Sequence, residues 1–139
     1  MKRVISFLLA IVMTFAFSIS VSAEEQVSTP VMPRYTYIAA TAVNLTIDEA
    51  TNVTNSRAFF YTYDTQLECQ VECKLQRYNN SKWNTVKTWT ASGYGDADVS
   101  KDWAVPSGYT YRAYATYSVY DSSGNLLERV SYYDSEYFP

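Results

Sequence analysis

The 139-residue chain contains no histidine. That absence excludes a Ser-His-Asp triad, a Cys-His dyad, His-ligated zinc and haem held through His. Neither Gly-x-Ser-x-Gly nor Ser-x-x-Lys occurs, so no serine is marked as a nucleophile with its base. Basic residues are scarce too: 11 Lys and Arg stand against 14 Asp and Glu, a net charge of −3. A chain without a Lys/Arg stripe has nothing to displace the counterions of a phosphate backbone, so nucleic acid is not an expected partner. No stretch of eleven residues carries an apolar 3.6 period, which removes helix as a main element. Only four glycines accompany 14 tyrosines and three tryptophans, and that imbalance points to strands.

The N-terminus reads as an export signal covering residues 1–23. Lys2 and Arg3 give a positive start, Val4 to Ile19 form a nearly unbroken apolar run, and Val21-Ser22-Ala23 suits a signal peptidase. A transmembrane anchor is the competing reading, because the run approaches bilayer length. Polar Glu24-Glu25-Gln26 directly after the site, with no basic stop-transfer cluster, favours cleavage. Removing Lys2 and Arg3 leaves nine basic against 14 acidic residues, a mature charge near −5. The expected product is secreted and extracellular, with no membrane attachment after cleavage.

Residues 24–34, with Pro30 and Pro33, read as an extended lead-in, and residues 35–139 as one domain. Within that domain Leu67, Cys69, Val71, Cys73 and Leu75 alternate with Gln, Glu and Lys, the signature of a strand with one buried and one wet face. Asn79 to Lys82 then reads as a turn into an antiparallel partner over Trp83 to Thr90. Tyr111, Ala113, Ala115, Tyr117 and Val119 mark another long strand, and Asp121 to Asn125 turns it into the last one. Further strands are expected from Tyr37 to Ile47, over Ala58 to Tyr63, and around Ala97 to Val105, with Asp48 to Ser56 as a turn region. About seven antiparallel strands in one domain of this size imply an all-β, two-sheet sandwich of immunoglobulin or fibronectin-III type. Tyr111 also lies six residues after Val105, across Pro106-Ser107-Gly108, where its hydroxyl can bond back to the preceding corner.

Three sets of residues are candidates for chemistry. Cys69 and Cys73, four apart on one strand, sit roughly 13 Å from each other, too far to bridge. Buried thiols are expected, with an intermolecular disulfide or a local bridge in a non-strand segment as alternatives. Asp96, Asp98 and Asp102 share one parity and form a calcium candidate, but an EF-hand loop starting at Asp96 would need Gly and Glu where Lys101 and Ser107 stand. Solvated strand-edge acids are the preferred reading, so no metal and no cofactor are expected. Paired-carboxylate hydrolysis needs no histidine, yet nothing marks a pair among the acids. Tyr114, Tyr120 and Tyr132 (or its neighbour Tyr133) fall on polar parities, where exposed rings can stack on sugars or anchor a protein surface.

Leu75-Gln76-Arg77-Tyr78 followed by Trp83-Asn84-Thr85-Val86-Lys87-Thr88-Trp89-Thr90, with Pro33-Arg34-Tyr35 before and Gly108-Tyr109-Thr110-Tyr111-Arg112 after, resembles a family of short secreted proteins of Gram-positive bacteria with no assigned function. The resemblance covers most of residues 33–137 and implies an extracellular β-sandwich without catalytic or ligand residues to transfer. Phe59-Phe60 and the two cysteines depart from that family's pattern. The function expected is a non-enzymatic extracellular binding module for a cell-wall glycan or a protein surface. A small secreted toxin or bacteriocin-like effector is the alternative.

Overall fold

β-branched and aromatic side chains at every second position favour extended backbone, because they pack on a pleated surface and lose little further χ1 freedom there. Seven such runs form strands: β1 (Ile38–Asp48), β2 (Val53–Thr62), β3 (Glu68–Asn79), β4 (Lys82–Tyr94), β5 (Asp96–Ala104), β6 (Tyr109–Tyr120) and β7 (Leu126–Phe138). The structure is a computed structural model and describes residues 34–139. The expected signal peptide, and the lead-in apart from Arg34, lie outside the described residues.

The strands divide into two antiparallel sheets, β1-β2-β5 and β4-β3-β6-β7, that pack face to face as a β-sandwich. In a constant immunoglobulin domain the fourth strand joins the sheet of the first two. Here β4 pairs with β3 instead, leaving three strands against four. The core is the expected one: Cys69, Val71, Cys73 and Leu75 of β3 meet Tyr111, Ala113, Ala115, Tyr117 and Val119 of β6, with Ala58 and Phe60 of β2 opposite. Phe60 and Tyr117 rings lie 5.2 Å apart across the interface. Burying each large side chain of this set contributes about 1.5–3 kcal/mol.

Two tyrosines use their hydroxyls to tie the layers. Tyr111, wholly buried, donates to the Pro106 carbonyl at 2.7 Å, the corner contact expected from its spacing. Tyr117 crosses the core and donates to the Ala42 carbonyl at 2.6 Å. β1 is an edge strand, and acids of β7 take two of its amides and two just before it. Glu128 accepts from Thr36, Tyr37 and Ile38, and Asp134 from Leu45.

Strand boundaries differ from the sequence expectation in three places. β2 begins at Val53 within the expected turn, because Thr54 and Ser56 occupy its first inward positions and both are fully buried. β1 carries a bulge between Ile38 and Ala40, which turns Ile38 into the core instead of Tyr37. β4 runs on to Tyr94, and a single residue, Gly95, carries the chain to β5 in the other sheet. Gly95 has φ +80°, its N–H donates to Leu67 and its carbonyl accepts from Thr62.

Candidate functional site

In an antiparallel sheet, directly paired residues share a face, so the register fixes what the outer surface of β4-β3-β6-β7 carries. Thr85, Gln76, Arg112 and Ser135 form one row across all four strands. Thr88, Lys74, Tyr114 and Tyr133 form the next. The β3–β4 turn is two residues long, Asn80 and Ser81, both with positive φ near +52° and +60°. These are the dihedrals of a type I′ turn, whose twist matches that of the flanking strands. The turn places Trp83 directly opposite Tyr78 on the same outer face, with ring centroids 5.1 Å apart.

Arg112 stands at the centre of this patch. Its guanidinium carbon lies 4.3 Å from the Trp83 ring centroid, 5.1 Å from Tyr114 and 5.2 Å from Tyr133. Its Nε donates to Gln76 Oε1 at 2.7 Å, and Gln76 Nε2 donates onward to Thr85 Oγ1 at 3.1 Å. Each ring over the cation contributes roughly 0.5–1 kcal/mol, so three rings and one charge-assisted bond fix an otherwise rotamer-rich side chain. Of these three rings Tyr133 is 59% exposed while Trp83 and Tyr114 are half-buried, and the neighbouring Tyr78 and Tyr137 add rings 44% and 61% exposed. Chemically, the patch combines exposed ring faces for stacking, amide and hydroxyl groups for hydrogen bonding, and one oriented cation.

Of the three tyrosines singled out from sequence, only Tyr114 belongs to this cluster. Tyr120 is on the same face but six residues along β6, roughly 20 Å away, where Arg129 Nη2 donates to its hydroxyl at 3.3 Å. Tyr132 pairs with Ala115 and has the inward parity of β7, yet on this edge strand it stays 37% exposed, while Tyr133, opposite Tyr114, takes the outer position. A register shift at Val119 and Tyr120 sets this parity, and it leaves Leu127 without a partner. Gln76, Tyr78, Trp83 and Arg112 were not anticipated as site residues. The signal was present in shared parity, since Gln76 and Tyr78 continue the polar positions of β3 and Arg112 those of β6.

The acidic trio lies on the outer face of the other sheet and does not converge. Asp96 pairs with Tyr61, Asp98 lies 3.8 Å from Arg57, and Asp102 accepts from Asn55 Nδ2 at 2.7 Å. Among the described residues no three Cys, Asp or Glu side chains come together as a metal would require. Alternate positions on one extended strand spread their carboxylates along it. A shallow depression beside Asp102 is lined by Thr46, Asp48, Thr51, Val53 and Asn55. Its second acid is engaged too: hydrogen bonds from Thr51 and from the Ala50 amide hold the Asp48 carboxyl below its usual range.

Cys69 and Cys73 are wholly buried and unpaired. Burial pushes both thiols up, that of Cys73 to about 11, so neither is a nucleophile at neutral pH. No protein-family model matches the chain, and no curated protein matches it either.

Proposed function

We propose that the chain is a secreted, non-enzymatic binding module that recognises a glycan outside the cell through the Trp83, Arg112, Tyr114 and Tyr133 patch. One observation carries this reading: exposed aromatic rings and oriented polar groups are interleaved on a single sheet face, away from the core. A pyranose offers the matching surface, with axial C–H groups for ring stacking and equatorial hydroxyls for Gln76 and Thr85. Tyr and Trp present such area at low entropic cost, because each has only two χ angles to fix. The N-terminal pattern of charge, apolar run and small-residue site supports export, and the absence of histidine supports a non-catalytic role.

Co-sedimentation of the purified protein with insoluble cell-wall polymers and polysaccharides tests the reading. Saturable binding that Trp83→Ala and Tyr133→Ala weaken at least tenfold, while Tyr63→Ala on the β2–β3 loop leaves it unchanged, is the expected result. Protein that stays in the supernatant with every polymer overturns it.

A further inference from the structure

We infer that Arg112 receives a carboxylate, and that the glycan bound on this face is therefore a polymer of acidic sugars, hexuronates in particular. This rests on the glycan reading above and narrows it. Among the described residues two cations are paired with acids within 4.0 Å, Arg57 with Asp98 and Lys74 with Glu72. Arg112 has no such partner, and neither has Arg129 on the same outer face, but Arg112 is the one with three rings around its guanidinium. The strand alternation explains why Arg112 lacks an acid: Asp134 and Glu136 have the inward parity of β7, so Tyr133, Ser135 and Tyr137 are what β7 presents beside Arg112. The nearest acid along the outer face of β3, Glu72, is held by Lys74 at 2.8 Å.

The geometry of the side chain narrows the class of anion. With Nε committed to Gln76, the guanidinium keeps its two terminal nitrogens for a ligand, and their parallel N–H groups match the two oxygens of one planar carboxylate. Trp83, Tyr114 and Tyr133 leave the cation half-buried, and a charge-assisted bond made there is stronger than one in open water. A hexuronate carries its carboxylate on C5, next to the ring face that would stack on Tyr133. It brings one negative charge per residue to the one unpaired positive charge within the ring cluster. The net charge of −3 opposes general attraction to a polyanion, so binding of one reports a local site.

Affinity electrophoresis of the purified full chain tests this with four soluble probes: polygalacturonate, its methyl ester, neutral galactan and poly(glycerol phosphate). The expected result is retardation by polygalacturonate that falls at least tenfold on esterification and on Arg112→Gln, with Arg112→Lys intermediate. Arg57→Gln, on the other sheet, leaves retardation unchanged. The comparison of free acid with ester uses the unaltered protein, so it decides the matter even if Arg112→Gln does not fold. Equal retardation by acid, ester and galactan overturns the carboxylate assignment and leaves a glycan module. Binding of poly(glycerol phosphate) without polygalacturonate overturns it in favour of phosphate. Failure to bind polygalacturonate, with neutral or insoluble polymers still bound, overturns only this inference. Failure with every polymer overturns the module as well.

Discussion

The Glu128 carboxylate accepts the backbone N–H of Ile38 at 2.9 Å across 90 residues of sequence, joining the last strand of one sheet to the first strand of the other. The same side chain also accepts from Tyr37 and Thr36, both at 3.0 Å. An edge strand normally presents unpaired amides to solvent, where another chain can add to them. β1 instead has its edge capped near its start by Glu128 and at Leu45 by Asp134, with Tyr117 donating to the carbonyl of Ala42 between them. Glu128→Ala removes a charged acceptor from three amides, two of them partly buried. Hydrogen bonds to charged groups contribute roughly 1.5–3 kcal/mol each where they are sheltered, so the variant should lose about 2–3 kcal/mol. Urea denaturation reads that loss, and light scattering should show concentration-dependent association through the opened edge. Unchanged stability would mean that water satisfies these amides equally well.

Tyr111→Phe keeps the ring in the core and deletes the hydroxyl that bonds Pro106. The carbonyl left behind lies at a partly buried corner, so the expected cost is about 1–3 kcal/mol. Tyr114→Phe is the control, since its hydroxyl has no partner holding the fold and should move stability by less than about 0.5 kcal/mol. Melting both variants beside the parent checks the pair. Equal melting temperatures would remove the corner bond from the account of stability.

The architecture was legible where one face of a strand is uniformly apolar and the other uniformly polar. β3 and β6 satisfy that condition, and Tyr111 stood at the spacing its corner bond requires. β2 did not, because Thr54 and Ser56 fill inward positions, and polar residues in the core erase the period that identifies a strand. β7 misleads for the opposite reason. Glu128 and Asp134 occupy inward-parity positions to reach the amides of β1, so its alternation reports a contact with another strand rather than the core. The outer patch needed information that no single strand contains. Arg112, Trp83 and Tyr133 belong to three strands, and only the register brings them together. The choice of Tyr132 over Tyr133 turned on one unpaired residue in the β6–β7 register.

Burial of the thiols gives a prediction about alkaline pH. Cys73 ordinarily titrates near 9.0 and is pushed to about 11 in the fold by desolvation, and Cys69 and Tyr117 are raised for the same principal reason. A group whose folded pKa is raised binds more protons folded than unfolded between the two values. Its contribution to stability is complete below about pH 9 and is lost as pH climbs toward 11. Melting temperature should therefore be insensitive to these groups from pH 6 to 8 and fall steadily above pH 9. At pH 8 a thiol reagent should find neither cysteine in the native protein and both after unfolding in urea. Rapid native labelling would show that β3 opens far more readily than its packing implies.

Gly95 makes the sharpest prediction, because two separate costs meet there. A side chain at φ +80° is strained by its own backbone, and a Cβ at this position would stand 2.9 Å from the Cα of Thr65. Gly124 has the same φ but nothing within 4 Å of a built Cβ. Gly124→Ala thus isolates the backbone strain, about 1 kcal/mol. Gly95→Ala carries that strain plus a clash with main-chain atoms that cannot rotate away. Relief would require moving Thr65 or stretching the bonds from Leu67 and Thr62 that hold the crossing between sheets. The expected loss is about 3 kcal/mol or more, and chemical denaturation of the two variants measures the difference between them. If both lose the same amount, the close approach of Thr65 yields without cost, and only the left-handed backbone demands glycine where β4 passes into β5.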